Sequence, residues 1–421
     1  MFLENSVRNQ PSEMNHAQVG IHWPSVLQLG LSLLGISILW SGALILVLIG
    51  VIQLLLPVEV QGNSTIPILL GSSGVVIGLL LVPSAIYPLL RLMGRVPTRL
   101  VPTPPWLRPT LLIFALPLLL LAGWWISQQG AALQLILPIF HVPAIGIPIL
   151  WLSYLAVRDL PLGSPQRAWG LLGSGSVLAP LFILFAEVLV LLAGVITWSI
   201  WMSGQPGMLD ELSILAERLR QAGNSPQLIA HIISPYLKDP LVIFSAFTFA
   251  AVIVPLIEEA IKPLGVWFLA GSRLTPAEGF TAGILCGAGY ALVESLTLSA
   301  DSGNDWVSLV FARIGTAVVH ILTSGLTGWA LASAWREKRY FRLGVTYLGA
   351  VLLHGLWNGL TMLIVIADLS QLNDQLGQHL LSQAYQIVPY GLVGLAIAGL
   401  ATLLWINVRL RRTTDSPQAV V

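Results

Sequence analysis

Residues 28–56 read QLGLSLLGISILWSGALILVLIGVIQLLL, an apolar stretch without a single Asp, Glu, Lys or Arg. A bilayer core of roughly 30 Å takes about 20 such residues in a helix. Nine further stretches meet the same requirement: 66–90, 109–127, 132–157, 170–203, 243–270, 277–299, 307–334, 343–367 and 385–408. The reading is an all-α fold, a polytopic transmembrane helical bundle of about ten spans. Composition points the same way, with 56% hydrophobic and 9% charged residues, whereas a soluble domain carries about a quarter charged residues.

Basic residues give the expected orientation, because short cytoplasmic loops collect Lys and Arg. Arg8, Arg91, Arg95, Arg99, Arg108, Arg158, Arg167, Arg273, Arg336, Lys338, Arg339, Arg342, Arg409, Arg411 and Arg412 all fall on one side. Only Arg218, Arg220 and Lys238 fall on the other, so both termini are expected in the cytoplasm. The polar N-terminus, residues 1–27, lacks the basic-then-apolar layout of a cleaved signal, and the first span is expected to be retained. A formal charge of +1 leaves no basic footprint for nucleic acid. The expected partners are the lipid bilayer and, for an enzyme, a substrate within it. Cys286 is the single cysteine, which excludes an intrachain disulfide.

The chain divides into the polar N-terminus, a five-span region 28–203, an extracytoplasmic amphipathic segment 204–240, a membrane core 241–367, and a final span with tail, 385–421. Within 204–240, Leu209, Leu212, Leu215 and Leu219 recur at helical spacing, and Ser225 with Pro226 reads as an N-cap and first-turn proline. Two short helices are expected there. They serve as a connector resting on lipid or, in the alternative, as a lid or substrate-docking element.

Charge is distributed unevenly. The first four spans hold no Asp, Glu, Lys or Arg, whereas spans six to nine hold Glu258, Glu259, Lys262, Glu294 and Arg313 with His320 and His354. Each ionisable group at the bilayer centre costs about 2.5–3.5 kcal/mol, which a purely structural bundle has no reason to bear. In VPLIEEAIKPLGVWF, Glu258 and Lys262 lie four apart on one helix face, with Glu259 turned about 100° away. Lys262 can compensate one carboxylate and leave the other as a general base. Pro263 should loosen the helix near Glu259. In GAGYALVESL, Tyr290 and Glu294 share a face, and Gly283, Gly287 and Ala291 allow close helix approach. Arg313, Thr316, His320, Thr323, Ser324 and Thr327 form a polar stripe. In VLLHGLWNGL, His354 and Asn358 point the same way and suit stabilisation of an oxyanion. By position along the helices Glu258, Glu259, His320 and His354 fall in one layer, and Glu294 with Arg313 fall further out as an ion pair. Glu187 reads as a partner of Lys262 or Arg313, or as a residue near a water-filled opening. His141 reads as a bundle histidine satisfied by its neighbours.

Together, EEAIK, the Tyr290–Glu294 motif, His320 with Ser324, and His354 with Asn358 resemble the PrsW family of intramembrane proteases, which is related to the CAAX prenyl proteases and bacteriocin-processing membrane proteins. The resemblance covers about residues 241–367. It implies a peptide hydrolase of a multi-pass membrane protein, expected in a prokaryotic plasma membrane. By it Glu258, Glu259, Glu294, His320, His354 and Asn358 are catalytic, with Lys262, Arg313 and Tyr290 in support. Family members are described as glutamic-type or metal-dependent, which leaves the cofactor open between none and Zn.

The expected reaction is hydrolysis of a peptide bond in a membrane-anchored protein substrate. Glu258 or Glu259 takes a proton from water, His354 and Asn358 hold the oxyanion, and His320 orients the water or donates to the leaving amine. A metal version places Zn²⁺ on His320, His354 and Glu258, since three protein ligands plus water suit catalytic zinc. The alternative from another class is a proton-coupled transporter using the Glu/His cluster as a relay. A catalytically idle scaffold or receptor is a third reading.

Overall fold

The structure, a computed structural model, describes residues 22–56, 65–95, 109–130, 133, 135–223, 225–237, 239–299, 305–371 and 378–415. Most of the Pro-rich loop 97–109 and nearly all of the polar N-terminus lie outside the described residues. No strand occurs among those described. The helices are α1 Trp23–Leu55, α2 Thr65–Leu92, α3 Pro109–Ser127, α4 Pro138–Val157, α5 Pro165–Ser203, α6 Met208–Ala222, α7 Pro226–Leu237, α8 Pro240–Trp267, α9 Pro276–Leu298, α10 Trp306–Glu337, α11 Tyr340–Gln371 and α12 Gln378–Asp415.

Among the described residues ten helices, all but α6 and α7, are long and apolar enough to cross a membrane. The expected spans agree with them to within a few residues, except that α4 begins at Pro138 rather than at 132 and α12 runs over Gln378–Asp415 rather than 385–408. Proline opens six of the helices, at the position where its missing N–H has no partner to lose. Side-chain caps reinforce two of these starts. Asp239 accepts from the backbone of Leu241 at 2.8 Å, and Thr275 with Glu278 forms a reciprocal capping box at the start of α9. The two short helices expected within 204–240 are present as α6 and α7.

Helix α9 is the most buried of the spans and sits at the centre. Its surface explains how. A methyl group on Gly279, Gly283 or Gly287 would strike the backbone of α10 at Gly328, Ser324 or His320. On the opposite face, Gly289 lies against the Leu172 carbonyl of α5, and Gly175 of α5 lies against the Cys286 carbonyl of α9. In lipid, where no hydrophobic force drives helices together, such close backbone approach is a main source of association. Helices α5 and α8 are each interrupted by a π-helical turn, Ser174–Leu178 and Phe249–Ile253. Helix α8 is interrupted again at Pro263, as expected of a residue without an N–H to offer the carbonyl one turn back.

The packing yields a direct comparison. Gly283→Val should cost about 3 kcal/mol or more, because the obstacle is backbone that cannot move aside. Gly42→Val, which meets nothing within 4 Å, should change the unfolding midpoint in detergent by less than about a third of that amount. Equal effects of the two would show that the α9–α10 contact does not carry the fold.

Candidate active site

Four helices bring their polar residues to one place. Helix α8 supplies Glu258, Glu259 and Lys262, α9 Tyr290 and Glu294, α10 Arg313 and His320, and α11 His354. Glu259, Lys262 and His320 are fully buried and Glu258 and His354 nearly so. Their side chains must therefore satisfy one another.

Lys262 is the hub. Its ammonium hydrogen-bonds Glu259 and His320 Nδ1, the latter at 2.9 Å, and lies 3.6 Å from Glu258 and 3.5 Å from His354 Nδ1. It also sits 5.5 Å from the centre of the Tyr290 ring. Spacing left open which of the two glutamates Lys262 compensates. The structure gives Lys262 a direct bond to Glu259, three residues back, with Glu258 as the more distant neighbour.

Donor and acceptor roles follow from the partners. An ammonium only donates and a carboxylate only accepts. His320 Nδ1, facing Lys262, is therefore the acceptor, and Nε2–H donates to Glu294. Glu294 uses its other oxygen to pair with Arg313 at 2.8 Å. The expected Glu294–Arg313 pair is thus present, but it is joined to the Lys262 layer through His320 rather than set apart from it. His354 Nδ1 lies 2.8 Å from Glu259, so it carries the hydrogen and leaves Nε2 as an acceptor.

That assignment sets two acceptors face to face. His354 Nε2 faces Glu258 Oε2 across 3.9 Å. The Glu258 oxygen is buried and has no hydrogen-bond partner. Two acceptors opposed in this way require something between them that offers two hydrogens or a positive charge. A water does the first and a metal cation the second. Glu258, His320 and His354 each offer one ligand atom, all within 4.8 Å of one another, so the donor set fits a metal of the kind that binds carboxylate and imidazole. One condition applies. Both nitrogens of His320 are engaged, by Lys262 and by Glu294, so a ligand role requires one of these contacts to give way.

Two expected roles do not fit this geometry. Asn358 donates its amide to the carbonyl of Ala250 at 3.1 Å, in the π turn of α8. A π turn disturbs the regular backbone ladder, and Asn358 serves that carbonyl rather than an oxyanion beside His354. His320 has no nitrogen free for a leaving amine. Three hydroxyls of the α10 stripe behave as lone Thr usually do in helices: Thr316, Thr323 and Thr327 bond carbonyls of their own helix, whereas Ser324 Oγ is buried without a hydrogen bond. His141 is the bundle histidine expected, accepting from Trp306 at 2.8 Å and contacting Ser299 at 3.1 Å. Glu187 forms no ion pair with Lys262 or Arg313 among the described residues. It lies instead within electrostatic reach of Glu258 and Glu294, a placement that spacing could have signalled, since Ala179, Ile183 and Glu187 recur every four residues.

The Glu294–Arg313 pair should behave as buried pairs do. Arg313→Leu alone should destabilise the protein by about 3 kcal/mol or more, because it strands a buried carboxylate. Adding Glu294→Gln, which keeps an acceptor for His320, should restore over half of the loss in denaturant midpoint. A double variant no better than the single one would show that the pair is not an isolated charge couple.

Residues 227–387 match the PrsW family of intramembrane metalloproteases. That stretch contains every residue of the layer except Glu187. No curated protein and no solved structure matches the chain.

Proposed function

We propose that this chain, whose residues 227–387 are a PrsW-family intramembrane protease domain, cuts its substrate with Glu258 as the water-activating group and Glu259 as the residue that fixes Lys262 and His354. The observation carrying this division is that the Glu259 carboxylate is committed through Oε1 to both Lys262 and His354, whereas Glu258 presents Oε2, buried without a hydrogen bond, to His354 Nε2; Glu259 Oε2 also lacks a hydrogen bond.

A water between these two atoms is held by its own two hydrogens. As it approaches a peptide carbonyl, Glu258 accepts one proton and the water oxygen bonds to the carbonyl carbon, moving the π electrons onto the carbonyl oxygen. Tyr290, whose hydroxyl is a neighbour of Glu258, donates to that oxygen. Collapse of the tetrahedral species breaks the C–N bond, and Glu258 returns its proton to the leaving amine. Lys262 keeps Glu259 ionised and, with Glu294, locks the tautomer of His320. His354 is held by Glu259 with its acceptor nitrogen toward the water. The residues that would hold a metal are Glu258, His320 and His354. Bound there, a divalent cation such as Zn²⁺ would supply Lewis acidity to the water and the carbonyl.

The substrate is a membrane-anchored protein, since the layer lies within helices that cross the bilayer. A proton-coupled transporter would call for broken helices meeting around a midplane site in two repeated halves. The π turns and Pro263 do interrupt α5 and α8, but the charges gather on α8 to α11 without a counterpart in α1 to α4.

Purified protein in detergent should cleave single-span membrane substrates. Glu258→Gln and His354→Ala should each lower the rate by about 10²–10⁴-fold, the usual contribution of a general base and its partners. Glu259→Gln should act through positioning, lowering kcat with little change in KM. Metal content measured on the same preparations tests the donor set: about one zinc per chain in wild type, lost in Glu258→Ala and His354→Ala and kept in His141→Ala. Undiminished cleavage by Glu258→Gln and His354→Ala would overturn the assignment.

A further inference from the structure

Helix α5 meets the catalytic layer along one short stripe. Ala179 and Ile183 are buried against Tyr290, Ile257 and Ile261. Glu187 is the next residue on that stripe, one turn beyond Ile183. After it the contact ends: from Val188 to Trp201 every residue of α5 is exposed. Helix α8 on the same side of the layer has no fully buried residue between Pro240 and Thr248, where its packing is against α11 through Phe247 and Gly359. The two helices touch at the layer and part beyond it, which leaves a gap open to lipid on the side of the membrane that carries α6 and α7. Glu187 stands at the closed end of this gap.

Its charge has no counterpart. Lys262 is committed to Glu259 and Arg313 to Glu294. Glu187 has neither an ion pair nor a side-chain hydrogen bond among the described residues, although Glu258 and Glu294 are its electrostatic neighbours. Glu258 itself keeps a buried oxygen without a hydrogen bond, 3.6 Å from Lys262 and 3.9 Å from His354. A carboxylate facing two others across a poorly solvated gap is a site for a cation, because Coulomb interactions strengthen as water is excluded.

We infer that Glu187 is a specificity-determining residue: a substrate helix enters through the gap between α5 and α8, and a Lys or Arg side chain near its scissile bond seats against the Glu187 carboxylate. The inference rests on the protease reading given above. It names the class of substrate, a single membrane-spanning segment carrying a basic residue close to the cut. An acidic residue at the same position is rejected, since it would add a further negative charge beside Glu187, Glu258 and Glu294. Rejection of this kind contributes to specificity as much as attraction does.

The test is a pooled panel of single-span peptides carrying Lys, Ala or Glu at each position in turn, incubated with the full chain in detergent and read by mass spectrometry. Wild type should cut best with Lys at one position near the cut, with kcat/KM at least about tenfold above Ala and a hundredfold above Glu there. Glu187→Gln should bring the Lys-to-Ala ratio close to one. Glu187→Lys should reverse the preference, so that Glu becomes the favoured residue at that position, a gain that misfolded protein cannot produce. A wild-type enzyme that cuts the panel with the same Lys-to-Ala ratio as both variants overturns the assignment of Glu187 alone. Equal loss on all peptides in both variants, with no reversal, assigns Glu187 a structural role and also overturns it. A wild-type protein that cuts no peptide overturns the protease reading, and this inference falls with it.

Discussion

A fully buried ammonium, that of Lys262, is the constraint around which the rest of the site is arranged. In hydrocarbon it can draw on no solvent, so every donor must find an acceptor within the protein. It does so by gathering Glu259, His320, Glu258 and His354 from three helices. Each of those groups then needs partners of its own: Glu294 and Arg313 follow from His320. The chain of dependence fixes the tautomers of both histidines and leaves the Glu258 oxygen facing His354 Nε2 without a hydrogen bond.

Such a network requires its helices to be held at fixed distances, and small residues do this. Where α9 carries Gly279, Gly283 and Gly287, α10 answers with its own backbone. Tyr290 and Glu294 continue up the same helix, and His320 up its partner. A larger residue in the glycine stripe would move the two ends of the Glu294–His320 bond apart. Packing and chemistry are thus consecutive turns of the same two helices.

Much of this was legible in the residues alone. Runs such as 28–56 can do little except span a bilayer, and a charge placed inside such a run is costly enough to draw notice, so Glu258, Glu259, Lys262, Glu294 and Arg313 announced themselves. The pairings were less accessible. Helical spacing made Glu258 and Glu259 both available to Lys262, and only the actual side-chain conformations chose Glu259. Asn358 was read as part of the site because it shares a face with His354. Its true partner, the Ala250 carbonyl, is set by a π turn that apolar residues 249–253 do not advertise. Glu187 was a single acidic residue in an apolar helix, and its direction depends on how α5 packs.

The interlock of α5 with α9 bears on modularity. Gly175 and Gly289 each admit a carbonyl of the other helix, and one of those helices lies outside the stretch that matches the protease family. Inheritance and architecture therefore draw their borders in different places. A protease core of this kind could be transplanted onto a different set of leading spans only if the recipient presented a notch the size of a hydrogen atom at the right depth. The leading spans are then less an appendage to the enzyme than a wall of it, and their divergence is limited by a surface they share with the catalytic helices.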